Sequence, residues 1–288
     1  MIRGMGRKNP QRRGARPCPH TPRIDHEHTA TRAAILSREG QTEYTGADDK
    51  HIFHAMGSTM TAPDAQDLRW ENGVPVSGRF DDPYYSREDG LAETRHVFIE
   101  GCRVRDRLCD GFSVAELGFG TGLNFCATLA LWQSEAPPGA RLNYTAFELY
   151  PMQAKDLDRA LAVWPELDAQ RESLVAAWQP AGGTMTIGSV HLTLVTGDAR
   201  ATVGAWPGAA DAWYLDGFAP SRNPQMWEAD LLKAVARASA SGAIAATYSV
   251  AGIVRRGLEA AGFRLERLPG YGRKREMLRA VRTPPDQA

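Results

Sequence analysis

The stretch VAELGFGTGLNFCATLALW, residues Val114–Trp132, decides the fold. An apolar run ends at a carboxylate, three glycines then alternate with other residues, and an apolar helical pattern follows. This order of strand, tight turn and helix is typical of the start of a doubly wound α/β domain. Closely spaced glycines let the backbone of such a turn approach a ligand without Cβ collisions. The stretch therefore predicts a ligand-binding turn at the carboxyl end of a strand.

The spacing of the glycines argues against the two common phosphate-binding turns. A dinucleotide fingerprint has the spacing GxGxxG. With Gly118 and Gly120 as its first two glycines, its last glycine would stand at position 123, which is Leu123 here. The Gly-Lys-Ser/Thr ending of a P-loop is also absent after Gly122. An acid at the strand end, Glu116, suits a cation or an amine better than a pyrophosphate. S-adenosylmethionine, with a sulfonium, an amino group and no phosphate, matches this turn; a plain strand-to-helix turn without a ligand is the alternative.

Composition and charge are those of a globular protein. The 288 residues include 34 basic and 34 acidic ones, so the net charge does not predict a polyanionic partner. Residues 255–282, however, hold nine basic and three acidic residues. The longest apolar runs fall short of the ~18 residues of a membrane span, and no signal-peptide core is present. The four cysteines form no CxxC pair and have no suitably spaced histidine, which argues against zinc and a disulfide framework and favours the cytoplasm.

The chain divides by composition near Met60. Residues 1–59 carry five of the seven histidines and little apolar periodicity, so we expect this segment to be disordered or an over-extended reading of the gene. Residues 60–288 are predicted to form one domain. Its core begins near residue 112, after a small hairpin segment at 80–105 in which Gly101 bends the run Val97–Val104.

From residue 112 onward, short apolar runs alternate with helical patterns, as in stacked βα units. The predicted strands are Phe112–Leu117, Leu142–Leu149, Met185–Asp198 (as a hairpin), Ala212–Asp216, Ala243–Tyr248, Phe263–Leu268 and Glu276–Val281. The predicted helices are Leu123–Trp132, Met152–Val163, residues 168–178, a helix that starts at Pro224, and Ile253–Ala261. The fold class is therefore α/β, a doubly wound sheet that ends in a β-hairpin.

Acidic residues follow several of the predicted strands. Glu148 can accept hydrogen bonds from both hydroxyls of a ribose, and Asp198 can accept one from an adenine amino group. Asp216 begins an aromatic and proline-containing loop that suits a planar base and its amine. Singly, each acid is more often a helix cap or a solvated carboxylate, and Asn223 is a candidate N-cap before Pro224. Together they mark the crevice at the carboxyl ends of a parallel sheet.

Three motifs, ELGFGTGLNF, LDGFAPSRNPQMW and PGYGRKREML, together resemble the tRNA 5-(aminomethyl)-2-thiouridine methyltransferases, which occur as stand-alone MnmD proteins or as the amino-terminal half of bifunctional MnmC. The segment Asp81–Gly101 shares the resemblance, which spans residues 68–282. It implies a class I S-adenosylmethionine-dependent methyltransferase fold with an antiparallel last strand. It also implies N-methylation of the 5-aminomethyl group of the wobble uridine in tRNA. Neither a metal nor a flavin is expected, because no oxidase half is recognised; a separate oxidase or another enzyme would supply the aminomethyl group.

The resemblance also assigns roles to individual residues. The methyl-donor site would be lined by Glu116, Gly118, Phe119, Gly120, Thr121, Gly122, Asn124, Glu148 and Asp198. Asp216 would face the acceptor amine as the catalytic residue. The substrate pocket would be closed by Tyr84, Tyr85, Asp89, Glu93, Phe218 and Pro220. The cations Arg273, Lys274 and Arg275 would contact tRNA phosphates; a solvated hairpin tip is the alternative.

Three other functions stay open from the residues alone. They are a methyltransferase acting on a small-molecule or protein amine, a dinucleotide oxidoreductase, and an RNA-binding module without catalysis. Leu123 and the lack of an obvious hydride-site histidine or tyrosine count against the oxidoreductase, and the intact acids count against the binding module. Equilibrium binding separates these classes, because only a methyltransferase should prefer S-adenosylmethionine over nicotinamide dinucleotides.

Overall fold

The computed structural model describes residues 67–283, so the segment 1–59 and its expected disorder lie outside the described residues. The strands are β1 Leu68–Glu71, β2 Val74–Ser77, β3 Asp82–Pro83, β4 Phe112–Leu117, β5 Leu142–Glu148, β6 Gly183–Ile187, β7 Val190–Thr196, β8 Ala210–Leu215, β9 Ser239–Thr247, β10 Phe263–Pro269 and β11 Glu276–Arg282. The α-helices are α1 Gly90–Thr94, α2 Leu123–Glu135, α3 Ala154–Leu161, α4 Asp168–Ala177, α5 Ala199–Ala205, α6 Ala229–Arg237 and α7 Gly252–Ala260. Short 3₁₀ turns span Arg105–Arg107, Pro165–Leu167 and Pro224–Trp227.

The main sheet has eight strands in the order β10-β11-β9-β8-β4-β5-β7-β6. Strands β4, β5, β7, β8 and β9 are parallel, whereas β6 and β11 run antiparallel to their neighbours. The predicted α/β class, with a mostly parallel sheet and an antiparallel last strand, is thereby confirmed. The chain moves outward from β4 through β5 to β7 and then returns to β8 on the other side of β4. This reversal is the point where doubly wound sheets bind ligands.

The central strand β4 is buried on both faces. On one side Val114 belongs to a core that includes Phe125 and Tyr144. On the other side Ala115 and Leu117 belong to a second core, which α5, α6 and α7 cover. A parallel strand with helices on both faces has no solvent side, so its sequence is mostly apolar, with Ser113 as the only polar residue before Glu116. This explains why β4 is readable from the sequence as one short run.

The segment before the core differs from the sequence prediction. The predicted hairpin over Val97–Val104 is wrong, because α1 continues as a π-helical turn over Arg95–Glu100. Val97 and its two successors are all buried. A run of consecutive buried residues shows neither helical nor strand periodicity, and Gly101 was misread as a hairpin bend. The β-structure of this region lies earlier, in the small antiparallel sheet β1-β2-β3.

Three smaller expectations also have outcomes. The helix predicted from Pro224 is split into a 3₁₀ turn and α6, and Asn223 makes no side-chain capping hydrogen bond there. Cys102 and Cys126 are free and buried. Within residues 67–283, no helix has both the length and the apolarity needed to span a membrane.

Candidate active site

The glycine turn connects β4 to α2 in a conformation that glycine favours. Gly118, Gly120 and Gly122 have φ angles of +80°, +54° and +75°. A Cβ at Gly122 would lie 2.9 Å from Leu174 Cδ2 and 3.0 Å from Phe119 Cε1, so this glycine is also required by packing. The turn therefore brings backbone atoms to the switch point of the sheet at close range.

A buried hydrogen-bond network lies directly beneath this turn. The side-chain amide Nδ2 of Asn124 donates to Glu116 Oε1 and to Asp216 Oδ2, both at 2.7 Å. The amide oxygen of Asn124 accepts from Thr94 Oγ1 at 2.8 Å. The hydroxyl of Tyr144 donates to Glu116 Oε2 at 2.8 Å. One amide thus joins the carboxylates at the ends of the neighbouring strands β4 and β8.

The two carboxyl groups have different environments. Glu116 has no exposed surface, and burial together with the nearby charge of Asp216 raises its pKa well above the ordinary value. Burial raises the pKa of Asp216 to about 6, although hydrogen bonds from the Gly217 N–H and from Asn124 oppose the shift. Burial thus disfavours ionisation of both acids, and Asp216, with its pKa of about 6, is mostly ionised at neutral pH. Asp216 is the group here that can take up and release a proton near neutral pH.

Glu148 ends β5 beside the glycine turn. Its Oε2 accepts from the Gly120 N–H at 3.0 Å, and its Oε1 accepts from the Tyr150 N–H at 2.8 Å. Each carboxylate oxygen can accept more than one hydrogen bond, so both keep acceptor capacity. Glu148 thus combines a fixed orientation with the ability to receive two hydroxyl groups, which suits a ribose.

Other residues predicted for the donor site have different surroundings. Glu116, Phe119 and Thr121 are buried, and the ring of Phe119 stacks on Trp178 with 4.9 Å between ring centres. They support the turn from inside and do not line an open surface. Asp198 caps α5 and holds Arg200, with its Oδ2 at 2.6 Å from an Arg200 Nη. Its carboxylate is thus already engaged by a cation.

An aromatic cover lies over the turn and over the loop that follows β8. The ring of Phe218 stacks on Phe80 at 4.7 Å and meets Tyr84 edge-on at 5.0 Å between ring centres. A Cβ at Gly120 would come within 3.1 Å of the Tyr84 ring, so Tyr84 lies against the glycine turn. Pro220 lies half-buried at the end of this loop.

The remaining residues predicted around the pocket fall into two groups. The hydroxyl of Tyr85 donates to the Ala160 carbonyl at 3.2 Å, and Asp89 caps α1 by accepting from the Ala92 N–H at 3.0 Å. These two residues serve packing and helix capping. Glu93, in contrast, is close enough to Asp216 to raise its pKa. Glu93 therefore lies within electrostatic range of Asp216.

The basic hairpin tip folds back toward α1. Arg273 Nε pairs with Glu88 Oε1 at 2.8 Å, and Lys274 Nζ pairs with Glu93 Oε1 at 2.7 Å. Arg273, Lys274 and Arg275 are all exposed, which keeps them accessible to a polyanion. Lys274 also contacts the ring of Tyr248, at 3.8 Å from the ring centre.

Sequence reasoning missed several residues of the site. Thr94 and Tyr144 complete the buried network, and Tyr248 donates from its hydroxyl to the Gly217 carbonyl at 2.6 Å. Tyr248 follows the last parallel strand, so the same strand-end argument that selected Asp216 would have found it. Tyr144 lies inside β5, and nothing in its sequence position marks it as polar-bonded.

Comparisons with known proteins define the class. Residues 165–283 match the model of a family of S-adenosyl-L-methionine-dependent methyltransferases. This part of the chain is thus similar to enzymes of that class. In the described residues, no group of three or more histidine, cysteine, aspartate or glutamate side chains is placed to hold a metal ion.

The particular relatives are bifunctional proteins. The chain is 47% identical over 235 residues to the tRNA 5-methylaminomethyl-2-thiouridine biosynthesis bifunctional protein MnmC of Caulobacter sp. strain K31, with 77% of this chain and 39% of that protein covered. It is 48% identical over 222 residues to MnmC of Pseudomonas paraeruginosa PA7, with 73% and 34% covered. The chain therefore spans between a third and two fifths of the length of these relatives. The crystal structure of MNMC2 from Aquifex aeolicus has the same fold, with a TM-score of 0.63, 22% identity, and coverage of 76% of this chain and 72% of that one.

The glycine turn supplies a stability prediction with a matched control. Gly122→Ala introduces both backbone strain at a φ of +75° and a contact at 2.9 Å, whereas Gly139→Ala introduces strain alone, because Gly139 has a φ of +80° and open space around it. We expect Gly139→Ala to cost about 1 kcal/mol and Gly122→Ala about 1–3 kcal/mol more. Thermal melting of both variants measures the difference. Equal losses would show that Leu174 and Phe119 yield freely to the added methyl group.

The raised pKa of Asp216 predicts a pH-dependent stability. Because the folded protein binds this proton more tightly than the unfolded chain, ionised Asp216 destabilises the fold above pH 6, and the penalty disappears as the pH falls toward the ordinary value of 3.8. Asp216→Asn removes the penalty. We expect the unfolding free energy of the variant, relative to wild type, to rise by up to about 3 kcal/mol between pH 4 and pH 7.5.

Denaturant unfolding across this pH range measures the effect. The side-chain amide of the variant keeps one of the two hydrogen bonds that Asp216 accepts and loses the other. This loss changes the difference in unfolding free energy between variant and wild type by an amount that does not depend on pH. A difference that does not change with pH would mean that Asp216 titrates as an ordinary solvated aspartate.

Proposed function

We propose that the protein transfers the methyl group of S-adenosylmethionine to the primary amine of the 5-aminomethyl group on the wobble (2-thio)uridine of tRNA. The observation that supports this most is a half-buried carboxylate, Asp216, beside a glycine turn at the switch point of a methyltransferase sheet. The choice of substrate rests on the relatives, whose names refer to tRNA 5-methylaminomethyl-2-thiouridine biosynthesis. Because tRNA is the proposed substrate, we propose that the protein acts in the cytoplasm.

The residues at the switch point fit the methyl donor. Gly118 and Gly120 hold the backbone of the turn in the left-handed conformation at the strand ends, and Glu148 keeps acceptor capacity for two ribose hydroxyls. When bound, the donor supplies an electrophilic methyl group on its sulfonium. Asp198 is a weaker candidate for the adenine amino group, because Arg200 already engages its carboxylate.

Asp216 is proposed to receive the acceptor amine. A primary alkylamine has a pKa near that of lysine, about 10.4, so at neutral pH it arrives protonated and without a lone pair. The carboxylate of Asp216 binds this ammonium and then holds the neutral amine by hydrogen bonds after the proton has left. With a pKa of about 6, Asp216 remains a much weaker base than the amine. Its main contribution is therefore orientation, and positioning of reactants supplies roughly 7–11 kcal/mol in favourable cases.

The second candidate function is methylation of an amine on a small molecule or a protein. The carboxylate alone does not distinguish these acceptors from a modified nucleoside. The exposed cations Arg273 and Arg275 at the mouth of the site favour a polyanionic acceptor. Formation of the aminomethyl group is proposed to fall to a different activity, such as an oxidase, which a separate protein can supply.

Replacing Asp216 tests the catalytic proposal. For Asp216→Asn we expect kcat to fall about 10²-fold or more, because the neutral amide no longer binds the ammonium and no longer orients the amine that forms from it. Methyl transfer to tRNA that carries 5-aminomethyl-2-thiouridine measures kcat, and calorimetry measures the affinity for S-adenosylmethionine, which should stay nearly constant.

The control is Asp230→Asn, which changes an exposed aspartate on α6. It should leave kcat and donor affinity unaltered. Near-normal turnover of Asp216→Asn would reject the catalytic role, and a loss of folded protein equal to the loss of activity would assign Asp216 to the loop structure instead.

Replacing the exposed tip cations tests the tRNA proposal. Each lost phosphate contact removes one released counterion, so Arg273→Ala combined with Arg275→Ala should reduce the slope of log affinity against log salt by about 1.4–1.8. Filter binding of tRNA at several salt concentrations measures this slope.

Arg237→Ala combined with Arg264→Ala removes the same charge from exposed positions at the amino end of the sheet and serves as the control. Donor affinity should be unchanged in both double variants. Equal slopes for the tip variant and the control would show that the tip has no special part in binding.

A further inference from the structure

The ammonium of Lys274 lies in an environment built for a cationic amine. Its Nζ is 2.7 Å from Glu93 Oε1 and 3.8 Å from the centre of the Tyr248 ring. The side chain of Glu93 is only 13% exposed, whereas that of Lys274 is 43% exposed. A nearly buried carboxylate combined with an aromatic face is the pattern by which proteins bind alkylammonium groups.

This environment adjoins the proposed acceptor carboxylate. The hydroxyl of Tyr248 donates to the Gly217 carbonyl at 2.6 Å, and the Gly217 N–H donates to Asp216 Oδ1 at 2.8 Å. Glu93 raises the pKa of Asp216 and Lys274 lowers it, so both charges act on Asp216. The Lys274 ammonium therefore lies within electrostatic reach of the position where a substrate amine would react.

The same environment is open to a ligand from outside. Glu93 and Lys274 line a cleft of about 460 Å³ between the segment that starts α1 and the hairpin tip. Tyr271 and Arg273 line the cleft as well and offer an aromatic ring and a cation to a nucleotide. A substrate that enters this cleft therefore meets the ion pair of Lys274 and Glu93 at its wall.

We propose that Glu93 and the ring of Tyr248 form the subsite that admits the acceptor ammonium, and that Lys274 occupies this subsite until the substrate displaces it. The inference rests on the proposed function for the identity of the acceptor, but the subsite itself is defined by these contacts. It makes Glu93 a specificity-determining residue and Lys274 an autoinhibitory one.

The exchange of one ammonium for another is energetically balanced. When Lys274 leaves, the incoming ammonium forms an ion pair with Glu93 and a contact with Tyr248 in its place. The carboxylate of Glu93 is therefore not left unpaired. A neutral group in the same place would leave Glu93 without a counter-charge, which penalises uncharged analogues. The displaced Lys274 lies beside the exposed Arg273 and Arg275 and becomes available to a tRNA phosphate. Binding of the tRNA backbone and opening of the subsite thus favour each other.

The test compares Lys274→Met, which removes the ammonium and keeps an apolar stem, with Lys274→Arg, which keeps a cation. The probes are the nucleosides 5-aminomethyluridine and 5-hydroxymethyluridine, which differ in charge and carry no phosphate. Ligand-observed NMR titration of the full-length chain measures the affinities. We expect Lys274→Met to bind the aminomethyl nucleoside about fivefold or more tightly than wild type does. Lys274→Arg should show no such gain, the hydroxymethyl nucleoside should show none with either variant, and adding Glu93→Gln to Lys274→Met should abolish the gain.

Several outcomes would overturn the proposal. Unchanged nucleoside affinity of Lys274→Met together with weaker tRNA binding would make Lys274 a phosphate contact only. An equal gain for both nucleosides would mean that the variant merely opens space. Melting curves show whether each variant is folded, and Lys274→Gln replaces Lys274→Met if the latter is not.

A second probe pair separates this proposal from the proposed function. The pair is benzylammonium and benzyl alcohol, whose binding does not depend on which acceptor the enzyme methylates. If wild type fails to methylate aminomethylated tRNA but Lys274→Met gains affinity for benzylammonium alone, the subsite stands and the tRNA function falls. If wild type methylates the tRNA and Lys274→Met gains affinity for neither 5-aminomethyluridine nor benzylammonium, the subsite proposal is wrong and the proposed function stands.

Discussion

The side-chain amide of Asn124 is the interaction on which the site depends. Parallel packing of β4 against β8 brings Glu116 and Asp216 to the same edge of the sheet, where two carboxylates would repel each other. The two N–H groups of the amide are shared between them, and Thr94 fixes the amide orientation by donating to its oxygen. A single side chain at the start of α2 therefore joins α1, β4 and β8.

The two acids show how environment separates residues of similar chemistry. Glu116 has no exposed surface, and both of its oxygens accept hydrogen bonds, from Asn124 and Tyr144. It is a supporting group that holds the amide in place. Asp216 accepts one hydrogen bond on each oxygen and remains half-buried, so it keeps acceptor capacity toward the crevice. The sequence alone placed both acids at strand ends but could not rank them, because burial depends on what packs above each one.

Much of the core was predictable from the sequence because it repeats one physical rule. The central parallel strands β4 and β8 are buried on both faces, so each is visible as a mostly apolar run. β4 was predicted with its full extent, Phe112–Leu117. The prediction for Val97–Val104 was wrong, because this segment begins with a helical turn that is buried on several sides although its composition is typical of a strand. Local pattern cannot distinguish these cases, since tertiary contacts decide them.

Individual site residues were less predictable than the fold. The resemblance assigns Phe119 to the donor site, whereas its ring points into the core and stacks on Trp178. Lys274 was grouped with Arg273 and Arg275 as one basic run, yet its ammonium faces Glu93 and Tyr248. Neighbours in a turn point in different directions, so adjacency in sequence does not imply a shared role.

The loop that carries Asp216 is held in one conformation by residues far away in the sequence. The Gly217 carbonyl accepts from Tyr248, the Phe218 carbonyl from Trp227 Nε1 at 3.2 Å, and the Ala219 N–H donates to Asp82 Oδ2 at 2.9 Å. These bonds order the loop during folding, so a substrate does not have to order it on binding. A weak base at a fixed position contributes little through its basicity and much through its geometry. The rigidity of this loop therefore supports orientation of the acceptor amine as the main contribution of Asp216.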